Sequence, residues 1–517
     1  MTARLTFRLF SVVGVLSSVA GCGVGQDGIA PPLDEILLPA GLAVDPNGDW
    51  LYVVNANGDL RYNAGTLTAV DLRKAVEDRS DPAAAAWATC TRTRFTGDEE
   101  VADRFCCRDM VDDRVLNCND RGYVKADTTV KIGSFGGAMV LQRDPELATR
   151  RRLYLTVRAE PSITFADVTV DDSGPRIRCT GERGSDTGTA PMNASCDDNW
   201  RIRRPSNSEV YANVLPEEPH TLALNEELGI LFVGHLAQAV NGQIVGGGVS
   251  SIDVCGGPDV ASSPRFRNVS RTVFPGAASQ SVTDLSLNGT GPNAPLFAIE
   301  RSGSEIEELV LRDASQGTCD LAAPRTNLPD VDLSVVPGQR ILSSAFQPAG
   351  TSLRGLVLSP GAVAAMQGTT CTGSATSCRQ EAYVLHRNEG TSDPAALVVL
   401  DRRPDETGQP ANRPVAVVEV CLGPTDLQMH DAGRGNMLYV TCFEGGQMYV
   451  IDPALLEVTA IIETGRSPNA LVFSPDGQTA YVANYADNSI SVIDLVPGSP
   501  TEFRVVQRLG FPHAVTE

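Results

Sequence analysis

The 517-residue chain is poor in aromatic residues, at 5%, and holds only five histidines. A core of that size must be built mainly from Val, Leu, Ile and Ala, which the 42% hydrophobic content supplies. The N-terminal apolar run, Leu9 to Val19, is shorter than the about 20 residues a spanning helix needs. Basic patches are missing too. Net charge is −21, and the longest basic cluster is Arg150-Arg151-Arg152, read as a solvated turn. An acidic surface of this kind repels phosphate backbones, so no nucleic-acid partner is expected. No Cys-x-x-Cys occurs and the histidines are scattered, which excludes the usual zinc-ligand spacings. No Gly-x-Ser-x-Gly elbow and no Gly-rich phosphate loop ahead of a helix is present. Asp45-Pro-Asn-Gly-Asp49 lacks the later Glu of a calcium loop and reads as a β-turn. From these absences the chain is expected not to be an enzyme and to use no metal and no cofactor.

The N-terminus carries an address. Arg4 and Arg8 precede the apolar run, and small residues follow it. The sequence Val19-Ala20-Gly21-Cys22 resembles a bacterial lipobox. That resemblance implies a signal peptide over 1–21, lipidation of Cys22 and a membrane anchor. Residues 22–35 then form a short tether, and 36–517 the body. Gly23 stands where Asp would favour inner-membrane retention, which points to the outer membrane. The 13 cysteines agree, since giving Cys22 to lipid leaves an even number for an oxidising compartment. Neighbouring positions suggest Cys179–Cys196, Cys255–Cys319, Cys371–Cys378 and Cys421–Cys442. Cys90, Cys106, Cys107 and Cys118 share one loop, and connectivity stays open.

The body repeats. Residues 467–495 read SPNALVFSPDGQTAYVANYADNSISVIDL: Pro, an apolar strand, a Pro-Asp-Gly turn, Tyr-Val-x-Asn, a polar turn and Val-Ile-Asp-Leu. The order recurs from Pro39 and from Pro424. It is legible in weaker form from Gly137, Pro219, Val282 and Leu353, which makes seven copies. A fourth strand follows several, as in Val415–Cys421, Glu457–Glu463 and Phe503–Leu509. Short strands separated by Gly, Asp, Asn and Pro turns point to antiparallel sheet. Four strands repeated seven times predict an all-β, seven-bladed β-propeller with almost no helix. The Tyr-Val-x-Asn and Val-Ile-Asp-Leu strands resemble the YVTN-type propeller repeat, strongly at 36–72 and 414–510. Asp71, Asp253, Asp401, Asp452 and Asp494 recur at third-strand ends and read as turn caps.

Long disulfide-containing insertions interrupt the pattern at 75–128, 177–207 and 361–380. The first two are expected between third and fourth strands. One chain terminus is expected to close the ring. After the repeat's Pro come Ala40, His220, Thr425, Asn469 and His513. First strands line a propeller's channel, so His220, Asn469 and His513 are candidate ligand contacts at its mouth. The preferred reading is a monomeric envelope lipoprotein whose loops bind a protein or polysaccharide. The alternative is a lactonase-like or haem-associated propeller working at the channel mouth.

Overall fold

The computed structural model describes residues 28–80, 106–181, 194–203, 215–255, 281–311, 335–342 and 351–510, except 146, 238, 241–242, 245–246, 292, 302–304 and 389–394. It also describes Thr89 and the strand pieces 265–266 and 271–272. Cys22, Cys319 and His513 lie outside the described residues.

Seven antiparallel blades form a closed ring. Their first strands are Pro39–Val44, Gly136–Arg143, Pro219–Asn225, Val282–Leu287, Thr351–Leu358, Pro424–Asp431 and Pro468–Phe473. Each packs against the next, and the first packs against the seventh. Second and third strands are sandwiched between neighbouring blades. Trp50–Asn55 and Gly65–Asp71 are buried at every residue, so such strands read as near-continuous apolar runs. Outer strands alternate instead, as in Arg413–Glu419 and Glu457–Glu463.

The motif residues do local work. In blade 7 the Tyr-Val-x-Asn residue Asn484 donates through Nδ2 to Ser489 Oγ at 3.1 Å and Ser491 Oγ at 2.9 Å. In blade 1 Asn55 does the same to Thr66 Oγ1 at 2.8 Å. The five recurrent aspartates each accept, through Oδ1, the backbone N–H two residues on: Arg73, Cys255, Arg403, Ala454 and Val496, at 2.7–3.1 Å. That is an Asx turn repeated around the ring.

As expected, there is little helix: the α-helices among the described residues are Leu72–Ser80 and Pro360–Gln367. Three expectations are corrected. The insertion at 177–207 does not precede the fourth strand of blade 2 but splits it: Gly174–Arg178 and Arg201–Arg203 both pair with Ser162–Asp171. Arg150-Arg151-Arg152 is not a solvated turn. It opens the second strand of blade 2, with Arg151 and Arg152 only 2% and 1% exposed. Arg151 reaches the blade 1 turn, donating to Asp45 Oδ2 at 2.8 Å and Oδ1 at 3.0 Å; Arg152 pairs with Asp167.

The third correction concerns closure. Among the described residues no terminal segment supplies a strand to the blade at the other end of the chain: the four regular strands of the last blade lie within 468–509, those of the first within 39–132. The blade 1 insertion bridges them. Its strand Leu116–Cys118 runs parallel beside Arg504–Leu509, and Cys106–Arg108 adds outside it. A disulfide joins Cys106 to Cys118. Others join Cys179 to Cys196, Cys371 to Cys378 and Cys421 to Cys442, and Cys107 and Cys255 are disulfide-bonded as well.

Candidate functional site

The residue after the repeat's opening position drops out of the ladder in every blade. The register slips at Ala40, Gly137–Ala138, His220, Thr283, Arg354, Thr425 and Asn469. A bulge re-aims its side chain, and three of these reach the next blade. Thr283 Oγ1 donates to Leu353 O at 3.3 Å, Thr425 Oγ1 to Pro468 O at 3.2 Å, and Asn469 Nδ2 to Ala40 O at 3.3 Å. Asn469 thus spends its amide tying blade 7 to blade 1. His220 stands in the same ring on blade 3. Burial pushes its imidazole down to about 4, and Arg158, Arg354 and Arg301 add to the effect.

Below the bulges, the first strands of blades 4, 5 and 6 enclose a cavity of about 680 Å³. Asp284, Ser286, Asn288, Asp426 and Gln428 line its walls. The helix Pro360–Gln367 and residues Thr369–Thr372, held by the Cys371–Cys378 bond, border its far end. Asp284 and Asp426 occupy the same position after their bulges. Between them blade 5 has Gly355, where a Cβ would lie 3.1 Å from Leu427 Cβ and 3.8 Å from Asp284 Oδ2. The missing side chain keeps the wall open beside the carboxylates.

Backbone ties hold the cavity wall in place. Ser286 Oγ donates to Leu356 O, and Gln428 Nε2 to Leu471 O at 2.8 Å. Asn288 Oδ1 accepts Leu358 N–H at 2.8 Å. The carboxylates themselves are under tension. Burial raises Asp284 to about 7, the charge of Asp426 adding to it; the Leu285 N–H at 2.8 Å and the Thr221 hydroxyl at 3.3 Å oppose the rise. Burial lifts Asp426 to about 6, against a bond from Gln428 Nε2 at 2.9 Å. Two carboxyl groups that titrate near neutrality in one cavity can give and take protons, and the hydroxyl and amide groups around them suit a hydroxylated ligand. No group of metal-ligand residues is found among the described residues.

Motif reasoning passed over Asp284 and Asp426. The signal was there: Thr283-Asp-Leu and Thr425-Asp-Leu stand at one position of the fourth and sixth repeats. His235 and His430 are held by structural contacts. His235 lies between Glu217 O at 3.2 Å and Ser250 Oγ at 2.9 Å. His430 stacks on Phe473 at 3.9 Å.

These shifts predict how stability varies with pH. The folded Asp pair holds protons that unfolded aspartates, near 3.8, have released. Stability from the pair therefore rises as pH falls from about 8 toward 6.5. Desolvation holds His220, His235 and His386 at about 4, 3 and 4, below the ordinary 6.5. Below 6.5 the unfolded chain gains protons the folded one refuses, and stability falls. The three histidines outweigh the two aspartates below about pH 7, so thermal melts from pH 5 to 9 should be nearly level above about pH 7.5 and fall on the acid side. Asp284→Asn with Asp426→Asn should steepen that acid fall, because the pair's opposing gain is lost; an unchanged acid limb would refute the assigned shifts.

Comparison with known proteins returns likeness of fold. No protein-family description and no curated protein matches the chain. A putative 6-phosphogluconolactonase from Bacteroides uniformis is 13% identical, with 84% of this chain and 87% of that one covered at a TM-score of 0.45. Kuenenia stuttgartiensis hydrazine synthase is 13% identical, covering 95% and 100%, at 0.47. The Pseudomonas aeruginosa periplasmic gluconolactonase PpgL is 14% identical, covering 83% and 86%, at 0.43. The expectation that this chain is not an enzyme is corrected here. Propellers similar to it include proteins described as lactonases, so the architecture gives no ground for that exclusion.

Proposed function

We propose that this protein is a lipid-anchored lipoprotein of the bacterial cell envelope. Its channel cavity binds a polyhydroxylated small molecule or the end of an envelope polysaccharide, and Asp284 and Asp426 exchange protons with that ligand. The carrying observation is the carboxylate pair, held near neutral pKa in a cavity with bonded, pre-set walls. The lipobox at Cys22 supports the location. No helix among the described residues is long and apolar enough to cross a membrane.

A panel of neutral sugars, sugar lactones and envelope oligosaccharides, titrated by calorimetry, tests the cavity. A binder should lose about tenfold or more in affinity in the Asp284→Asn, Asp426→Asn double variant. Equal binding by the folded variant would overturn the site. The anchor is tested separately: Cys22→Ser should move the protein from membranes to the soluble fraction and remove the acyl mass. A Cys22→Ser protein that stays with membranes would contradict lipidation.

A further inference from the structure

We infer that the channel rim above the cavity is an oxyanion-binding site, formed by His220, Arg158, Arg301 and Arg354, that takes a carboxylate or phosphate group.

The placement follows from the ladder. His220 and Arg354 are the bulged residues of the first strands of blades 3 and 5. Arg158 and Arg301 each follow the last residue of a second strand, Val157 in blade 2 and Glu300 in blade 4. Second strands run antiparallel to first strands, so their ends return to the rim where the bulges lie. The backbone records this: Arg158 N–H bonds Phe135 O at 3.2 Å, and Arg301 N–H bonds Ser281 O at 3.0 Å, each just ahead of its own blade's first strand. Four consecutive blades, 2 to 5, thus bring one nitrogen-rich side chain each to one arc.

The rest of the rim differs. At the bulge, blades 6, 7 and 1 carry Thr425, Asn469 and Ala40; after the second strand they carry Phe443, Tyr485 and Ala56. At these two positions the basic side chains fall in blades 2 to 5, in a protein whose net charge is −21; ahead of the first strand of blade 7, Arg466 is paired with Asp487 at 2.5 Å. Desolvation first, and then the charges of Arg158, Arg354 and Arg301, lower the proton affinity of the His220 imidazole. The arc also has acidic company. Glu218 pairs with Arg158 at 3.3 Å, both side chains being about 40% exposed, a water-screened contact that an incoming anion can share or replace. Asp284 stands just inside, its carboxyl receiving the Thr221 hydroxyl beside His220. Its affinity for a proton lowers the negative charge beneath the rim. Guanidinium forks match the planar edge of a carboxylate or two phosphate oxygens.

This site stands on rim geometry and does not need the cavity reading; together the two describe a ligand with an acidic group at the rim and a hydroxylated body below. The test uses inorganic phosphate and citrate as probes on the full mature chain, with glycerol as the neutral control. Titration is followed by calorimetry and by the His220 Hε1 resonance. A bound anion should raise the pKa of His220, and Arg354→Gln and Arg301→Gln should each weaken binding about tenfold. The preference between the two anions tells phosphate from carboxylate. Arg143→Gln is the control, since Arg143 pairs with Glu226 at the opposite end of its blade at 2.6 Å. Anions that leave His220 unmoved, or a loss in Arg143→Gln equal to that in Arg354→Gln, would overturn the proposal. Either arginine variant suffices if the other fails to fold. Phosphate binding retained in the Asp284→Asn, Asp426→Asn variant, with hydroxylated ligands unbound by any form, would leave the rim site standing and the cavity reading refuted.

Discussion

Replacing Arg151 with methionine is expected to destabilise the protein by about 3–5 kcal/mol, because it strands a buried carboxylate. Asp45 is fully buried and its four polar contacts are all specific. Its Oδ1 accepts Asn47 N–H at 3.0 Å and Arg151 at 3.0 Å; its Oδ2 accepts Tyr52 O–H at 3.1 Å and Arg151 at 2.8 Å. The arginine comes from blade 2, so the pair fixes the Asp45 turn of blade 1 to its neighbour. Removing the cation leaves the charge without its counter-ion, whereas neutralising both partners leaves only polar groups to satisfy. The double change Asp45→Asn, Arg151→Met should therefore cost less than Arg151→Met alone, although it contains one more substitution. Urea denaturation of the three proteins measures this. A single variant as stable as the parent, or a double variant less stable than the single, would contradict it.

The second large effect is at the seam. Cys106→Ser with Cys118→Ser should cost about 2–5 kcal/mol and should loosen one place first, the junction of blades 7 and 1. The insertion strand Leu116–Cys118 covers the outer edge of Arg504–Leu509, and Gly510 N–H bonds Cys118 O at 3.0 Å. Arg79, at the end of the blade 1 helix, donates to Gln507 Oε1 at 2.9 Å, and Asp120 Oδ2 accepts Ile36 N–H at 2.7 Å. A shared core runs across the seam, with Ile36, Leu116 and Tyr123 packed among Tyr481, Ile490 and Leu509. Hydrogen exchange should speed up in 116–118 and 504–509 before it changes in blades 3 to 5. Uniform acceleration around the ring, or none, would show that the insertion does not close it.

Much of the architecture was legible because it is local and repeated. A Pro-Asp-Gly turn, a Tyr-Val-x-Asn strand and an aspartate at the third-strand end each act within a few residues. Asn484 bonds hydroxyls five and seven residues on, and Asp494 caps an amide two residues on. Such contacts leave a periodic trace in the chain, and seven traces give seven blades. The site was less legible. Asp284 and Asp426 are 142 residues apart in sequence, and only closure of the ring places them on either side of Gly355. His220 was visible as a channel residue, but its arginine neighbours come from three other blades. Arg151 looked like a solvated charge because its counter-ion, Asp45, is 106 positions away.

By itself, then, the sequence determined the strands, their grouping in fours seven times over and the turn chemistry, since these depend on side-chain alternation and on bonds between near neighbours. The tertiary structure decided what the blades do to one another. It set which carboxylates lose water and rise toward neutral pKa, which arginines become core ion pairs and which gather at the rim, and which segment seals the ring. Those outcomes depend on burial and on charge proximity, and both exist only once distant strands are packed side by side.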